Sequence, residues 1–397
     1  MLLAPWTERG MTILITTDLT IQEHEVFTED FRFAANDVTL TNLGAIQVSA
    51  GFAQAVRTNG FQRNGLINEG LIKAIGTDGA HAVNLSFGAD FTLTNSGDIR
   101  ASSNASATGV GGTNNFALTN TGDIVVTAGS GSNHQAIAVW LGGVGALPNY
   151  VENDGLISAS AFGAGSAYAI VVASAQQDTI INNGTVLAQV SANTTGVSYG
   201  IFVNSNFLTL VSAPNIINTG TITADFAIVG TSTADPPQAS MEWISNQGII
   251  NGDIALNLGD DRVDNSGTIN GDIFMGDGDD AVYSTDGIIN GTIDLGAGND
   301  TFSGGAGNDI VIGGAGADAF NGGAGSDTVS YSTAAAGVTV SLASPGENTG
   351  DAAGDSYVSI ENLSGSEFND VLSGDAGANT LSGGGGNDTL NGGSGSD

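Results

Sequence analysis

The sequence predicts an all-β chain: a right-handed parallel β-helix solenoid that continues into a narrower parallel roll of short strands. Two internal repeats and one compositional bias predict it. Over residues 295–330 a nine-residue unit recurs four times without a gap, as LGAGNDTFS, GGAGNDIVI, GGAGADAFN and GGAGSDTVS. Upstream, a looser unit, apolar-x-N-x-G-x-apolar, returns at intervals of 19 to 36 residues. Glycine is abundant, at 61 of 397 residues, and only 12% of residues are charged, a balance that suits stacked coils better than two or three globular domains.

Residues 1–34 are read as an N-terminal segment or cap. The opening MLLAPWTERGMTILITTD has neither a basic start nor a sustained apolar run, which argues against a Sec signal peptide, and Met11 offers an alternative start. Residues 35–294 are expected to form the β-helix. Its repeat reads LTNLGAI, LINEGLI, LTNSGDI, LTNTGDI, VENDGLI, IINNGTV, IINTGTI, ISNQGII and VDNSGTI. Variable spacing around a constant core is what coils with loops of different length give, because insertions at solvent-facing corners add little closure entropy. Short alternating runs between the copies, such as 124–127 and 136–140, predict two or three strands per coil. The Asn side chains, stacked at one corner, can donate and accept along a column, and the Gly two residues on is expected to supply a bend that other residues resist. This pattern resembles the passenger regions of bacterial autotransporters and strand-repeat surface proteins, across roughly residues 35 to 290.

The nonapeptide pattern G-G-x-G-x-D-x-U-x, with U apolar, divides into a turn and a strand. Glycines without a Cβ tolerate left-handed backbone and let carbonyls converge, and the last three residues read as a strand with Phe302, Val311, Phe320 and Val329 facing inward. Stacked units place Asp300, Asp309, Asp318 and Asp327 in columns, where unpaired carboxylates would repel. Hard oxygen donors in that arrangement suit Ca2+ better than Mg2+ or Zn2+. A flexible glycine- and aspartate-rich linker would not keep an apolar residue at position eight.

This stretch closely resembles the RTX (repeats-in-toxin, haemolysin-type) calcium-binding family. The resemblance implies a calcium-binding parallel β-roll, two nonapeptides to a turn. It implies one Ca2+ site at Gly296, Gly298 and Asp300 with Gly313, Ala315 and Asp318. A second would use Gly305, Gly307 and Asp309 with Gly322, Ala324 and Asp327. The aspartates would supply side chains and the other residues carbonyl oxygens. At the join, LGDDRV and MGDGDDAV gain acid as the spacing falls to 19 and 20, so Gly276, Gly278 and Asp280 with Leu295, Ala297 and Asp300 are a further candidate. Residues 295–330 are thus roll block 1. Residues 331–364 read as strand, polar loop, strand, with Asp355 in the loop. Residues 365–397 resume the pattern as block 2, where Ser366 and Phe368 replace glycines and Asn379 replaces an aspartate. Its candidate pairs are Asp370 with Asp388 and Asn379 with Asp397. Because the sequence stops at position six of a nonapeptide, it is expected to be a fragment, lacking a cap and the C-terminal export signal of type I secretion, and to self-associate at that end.

Charge and composition exclude several functions. Net charge is −34, and residues 245–397 carry 23 Asp and Glu against the single Arg262, a balance of −22. Nucleic acid and anionic membranes are therefore excluded as partners. Without cysteine, disulfides and thiolate metal sites are impossible. The longest uncharged candidate span, residues 136–148, is 13 long and broken by glycines, too short to cross a bilayer. A G-x-S-x-G string at Gly196–Gly200 lacks a histidine after it, since His24, His81 and His134 all precede it, and the three histidines read as loop or surface residues without metal-ligand spacing. Lys73 follows Ile72, so no phosphate-binding loop exists. The enzyme alternative is a polysaccharide lyase or epimerase on a β-helix with RTX repeats; its nearest string is Asp235-Pro236-Pro237, and Arg57, Arg63 and Arg100 fall on separate coils. The favoured expectation is no enzyme: a secreted, extracellular calcium-binding protein with a β-helical shaft for display, adhesion or matrix structure, its partners calcium ions and a cell-surface glycan or protein.

Overall fold

The computed structural model describes residues 12–58, 62–85, 90–131, 133–143, 147–174, 177–191, 195–204, 215–231 and 241–397. The chain divides into two units, one of Met1–Val172 with Leu187–Ser198 and one of Ala173–Val186 with Tyr199–Asp397. Both are parallel β-solenoids. Among the described residues there is no α-helix, and no helix long and apolar enough to cross a membrane.

In the first unit each coil has three strands. Gly65–Asn68 is followed by Leu71–Leu85, whose first half pairs with Asp98–Ser103 and whose second half pairs with Ala107–Thr113. Identical register from coil to coil stacks like on like: Leu40, Leu66, Leu93, Leu118 and Val151 form one buried column, and Ile46, Ile72, Ile99, Ile124 and Ile157 another. Each such side chain contributes about 1.5–3 kcal/mol of burial. The parallel pairing starts earlier than the sequence suggests. Ile13–Ile15 pairs with Phe31–Phe33 and Leu19–Ile21 with Thr39–Asn42, so residues 13–33 belong to the first coils instead of forming a separate cap.

The Asn ladder is present. Asn42, Asn68 and Asn95 each donate Nδ2 to the Oδ1 of the next Asn at 2.7 Å, and Asn120 does the same to Asn153. A second ladder runs Asn182, Asn218, Asn246, Asn265 in the other unit and ends on the Ser284 hydroxyl. The accompanying glycines serve a purpose other than the expected bend. Their φ is not left-handed; a Cβ on Gly70 or Gly97 would instead lie 2.0 or 2.1 Å from the carbonyl oxygen of the glycine one coil below. Close approach between coils, not turn geometry, excludes a side chain there.

The second unit narrows along its length. Arg262–Asn265, Thr268–Asn270 and Ile273–Asp277 make a three-stranded coil, and the next keeps only the two-residue Ile288–Ile289 on the middle face. From Thr301–Ser303 and Ile310–Ile312 onward there are two strands per turn. The interruption at 331–364 then redirects the sheets. Ser356–Val358 stacks on Ala319–Asn321 as the last strand of one sheet, whereas Thr339–Ser341 starts a new sheet continued by Val371–Ser373 and Thr389–Asn391. Asn362–Ser364 meanwhile stacks on Thr328–Ser330 and carries Thr380–Ser382.

Candidate metal centre

The turns 256–261, 275–280, 295–300 and 313–318 stack at one corner of the second unit. Their backbone conformation repeats: φ is +113° and +147° at Gly276 and Gly278, +99° and +150° at Gly296 and Gly298, and +86° and +149° at Gly314 and Gly316. L-residues resist such angles. Stacking is close enough that a Cβ on Gly296 would lie 1.8 Å from the Gly276 carbonyl oxygen, and one on Gly314 1.7 Å from that of Gly296. The turns 304–309 and 322–327 stack in the same way at a second corner, where the Ala324 N–H donates to the Gly305 carbonyl at 2.8 Å.

The aspartates at position six line up through their own backbone. The Asp280 N–H donates to Asp300 Oδ1 at 2.8 Å, the Asp300 N–H to Asp318 Oδ1 at 3.0 Å, and the Asp309 N–H to Asp327 Oδ1 at 2.9 Å. Every pairing proposed for these residues is therefore brought together. One oxygen of Asp300, Asp318 and Asp327 is thus satisfied, as is one of Asp280 by the Asp261 N–H and one of Asp261 by the Glu242 N–H. Buried with no hydrogen-bond partner is Oδ2 of Asp261, Asp280, Asp300, Asp309, Asp318 and Asp327. An ionised oxygen out of water without a donor costs several kcal/mol, so it demands a proton or a cation. The carboxyl acidities carry that cost. Burial lifts Asp300 and Asp318 to about 7, and Asp280 and Asp309 to about 6, with neighbouring carboxylates adding to the rise. Position one must be glycine beneath three of them, because a Cβ on Gly304, Gly313 or Gly322 would lie 2.4, 2.4 or 2.3 Å from the free oxygen of Asp309, Asp318 or Asp327.

The carbonyls are engaged differently. The Ala315 N–H donates to the Gly296 carbonyl at 3.0 Å, and the Gly298 N–H to the Ala315 carbonyl at 2.9 Å; each oxygen keeps a second lone pair. Among the described residues no three His, Cys, Asp or Glu side chains gather into a chelate. A cation here would be held by two carboxylates per site together with backbone carbonyls, and an all-oxygen set with single unpaired carboxylate oxygens fits Ca2+.

Block 2 departs from this. The Asp370 N–H reaches Asp388 Oδ1 at 3.1 Å and the Asn379 N–H reaches Asp397 Oδ1 at 3.0 Å, so both pairs are in register. Yet Ser366 closes Asp370: its N–H donates to Oδ2 at 2.6 Å and its hydroxyl to Oδ1 at 2.9 Å. The serine that replaces a glycine thus stands in for the cation. Asn379 spends its own amide on the Glu361 carbonyl and the Asp375 N–H, and Asp397 is exposed.

Three column members escaped the sequence reading. Asp355 is buried, not a loop residue in water: its Oδ1 accepts the Asp318 N–H at 2.9 Å, and its Oδ2 accepts the Tyr331 hydroxyl at 2.6 Å and the Tyr357 hydroxyl at 3.3 Å. Glu361 accepts the Asp327 N–H at 2.9 Å. Asp261 accepts the Glu242 N–H at 2.7 Å. A signal existed for each, since Asp355-Ser356-Tyr357, Glu361-Asn362-Leu363 and Asp261-Arg262-Val263 preserve the acid-x-apolar half of the nonapeptide, although of the glycines at positions two and four only Gly259 remains.

Elsewhere, Ser198 of the G-x-S-x-G string is buried at the start of the strand Ser198–Asn204, with no helix after it. His24 is exposed and His134 follows a turn, but His81 lies in the strand Leu71–Leu85, its ring 5.2 Å from that of Phe52 and its pKa lowered by burial. Asp235-Pro236-Pro237 falls outside the described residues.

The RTX calcium-binding nonapeptide repeat family, as 4 copies, matches residues 294–329 and 364–397. No curated protein and no solved structure matches the chain.

Proposed function

Residues 294–329 and 364–397 being RTX calcium-binding nonapeptide repeats, we propose that this chain is a secreted, non-enzymatic calcium-binding protein whose roll folds when Ca2+ binds. Its β-helical coils then serve display, adhesion or matrix structure, with a cell-surface glycan or protein as partner. One observation supports the folding step above others: buried carboxylate oxygens with no donor recur at Asp280, Asp300, Asp309, Asp318 and Asp327. In the Mechanism this implies, Ca2+ supplies only positive charge and a flexible oxygen shell. The chain does the rest. Asp300 with Asp318, and Asp309 with Asp327, present paired oxygens; the glycine turns bring carbonyls to the same corner; the apolar Phe302, Val311, Phe320 and Val329 close the interior.

Extracellular calcium modules bind at about 10⁻⁴ to 10⁻³ M. At ~1 mM free Ca2+ and ~0.1 mM Kd, each site adds about 1.4 kcal/mol, so several sites together match the marginal stability of a domain. In a cytosol of low free calcium the contribution vanishes, which keeps the roll unfolded until export. Far-ultraviolet circular dichroism of the chain should show strand content rising between EDTA and 10 mM Ca2+. Equal spectra would refute this reading.

A further inference from the structure

The corner that carries the aspartates starts well before the matched repeats. In the first unit the equivalent backbone N–H groups are accepted by neutral amides: Val38 N–H by Asn64 Oδ1 and Phe116 N–H by Asn149 Oδ1, each at 3.0 Å. In the second unit carboxylates take over, with the Glu242 N–H on Asp261 Oδ1 and the Asp261 N–H on Asp280 Oδ1, each at 2.7 Å. An amide does this work without a charge to bury. A carboxylate does it only at the cost of a second oxygen, and Asp261, 1% exposed, keeps its Oδ2 without a donor, as Asp280 does at 2%. Glu242, itself buried, donates its N–H to Asp261, so a second buried acid stands at the same corner.

The backbone at this place repeats that of the matched turns. Asn257 and Gly259 have φ of +79° and +138°, against +99° and +150° at Gly296 and Gly298. The Asp277 N–H donates to the Asn257 carbonyl at 2.7 Å and the Gly259 N–H to the Asp277 carbonyl at 2.9 Å, the same two bonds that join 296–298 to Ala315. A Cβ on Gly276 would lie 1.8 Å from the Asn257 carbonyl, as one on Gly296 would from that of Gly276. Asn is the residue besides glycine that tolerates left-handed backbone most readily, which lets it stand at position two. We propose that the turns 256–261 and 275–280 form a further calcium site outside the nonapeptide blocks, with the Asp261 and Asp280 carboxylates and the carbonyls of Asn257, Gly259 and Asp277 as ligands. This deepens the calcium reading of the roll and rests on it.

Two measurements on the full chain test it. The first is the number of Ca2+ bound at saturation in equilibrium dialysis, for the wild type, Asp261→Asn and, as a control, Asp264→Asn, whose carboxylate pairs with Arg262 on the outside. The second is terbium luminescence excited through tryptophan, because Trp243 adjoins Glu242 in sequence and pairs in register with Arg262, next to Asp261. The Trp243→Phe variant identifies the emission that this tryptophan sensitises. The expected result is one fewer Ca2+ per chain in Asp261→Asn, with loss of the Trp243-dependent emission, and no change in Asp264→Asn. An unchanged ion count and unchanged emission in Asp261→Asn would overturn the proposal while leaving the nonapeptide sites standing. If the wild type binds no Ca2+ at all, the calcium reading itself fails. Should Asp261→Asn not fold, the wild-type terbium titration decides: Trp243-dependent emission that calcium displaces supports the site, and its absence overturns it.

Discussion

Asp318 and Asp355 occupy consecutive places in one column, yet their free oxygens meet different partners. Asp318 Oδ2 has none, whereas Asp355 Oδ2 holds the Tyr331 hydroxyl, and the Tyr331 and Tyr357 hydroxyls also meet each other. Tyrosine acidity is suppressed in both rings by burial and by the neighbouring carboxylate, so the pair stays protonated and donates. The column therefore ends in a proton-donating lid. Asp318→Ala should lower calcium affinity; in the absence of metal, the relief of removing a buried acid is set against the orphaned Asp300 N–H, so its effect there should be smaller than that of Asp355→Ala. Asp355→Ala should act without regard to calcium: it orphans the Asp318 N–H and removes the carboxylate that accepts from both hydroxyls, at roughly 2–4 kcal/mol for several lost buried bonds. Urea unfolding in EDTA and in Ca2+ separates the two effects, and equal calcium affinity in Asp318→Ala and wild type would contradict the site.

At the scale of the turn, conformation and contact act together. Gly316 has φ of +149°, and a Cβ there would lie 1.6 Å from the Gly298 carbonyl, while a Cβ on Gly346 would meet nothing within 4 Å. Gly316→Ala should raise the calcium midpoint of folding severalfold or abolish the transition; Gly346→Ala should leave it in place. A calcium titration followed by circular dichroism distinguishes them. The column also sets a pH dependence. Asp280, Asp300, Asp309 and Asp318 have folded pKa values raised to about 6 or 7 from an ordinary value of 3.8. Folded chains hold more protons than unfolded ones in that window, so without metal the roll is favoured near pH 4 and loses that stability as pH rises through about 7. Calcium held by these carboxylates would displace those protons. Binding at pH 6 should release protons, seen as a buffer-dependent heat in calorimetry, and the release should shrink by pH 8.5; heats independent of the buffer at pH 6 would refute it.

Much of this element was legible in the sequence, because a period of nine and a fixed apolar position encode turn, strand and inward face at once. The Asn ladder and its corner were legible for the same reason. What stayed hidden were contacts set by the path of the chain. Asp355-Ser356-Tyr357 keeps the acid-x-apolar half of the unit, but the 37-residue step that returns it above Asp318 breaks the period of nine, and Asp351 and Ala353 stand where the turn glycines would. Nor does Ser366 announce that its hydroxyl will seal Asp370. The reason for the ladder glycines was misread because close approach between coils and left-handed backbone select the same residue.

Across the whole molecule, charge is sorted along the sequence: the chain carries −34, and −22 of it lies in residues 245–397. Where the corner residues are amides, as at Asn64 and Asn149, the coils need no ion to satisfy their backbone. Uniform register has one further consequence, for length. Phe91 pairs with Phe116 and Asn95 with Asn120 without offset, and the next coil pairs Asn120 with Asn153 in the same way. Each coil therefore presents on its upper side the surface that it receives from below, as a course of bricks does. Removing residues 96–120 would bring Asn95 under Asn153, Leu93 under Val151 and Asp123 behind the shortened strand, with every row still in line. The excised chain should fold with unchanged strand content per residue and a melting temperature within a few degrees, while a cut from the same start that is one residue longer or shorter should lower that temperature far more, because it puts the inward side chains of the joined strands out of phase. The protein is in this sense a ruler whose length can be edited a coil at a time.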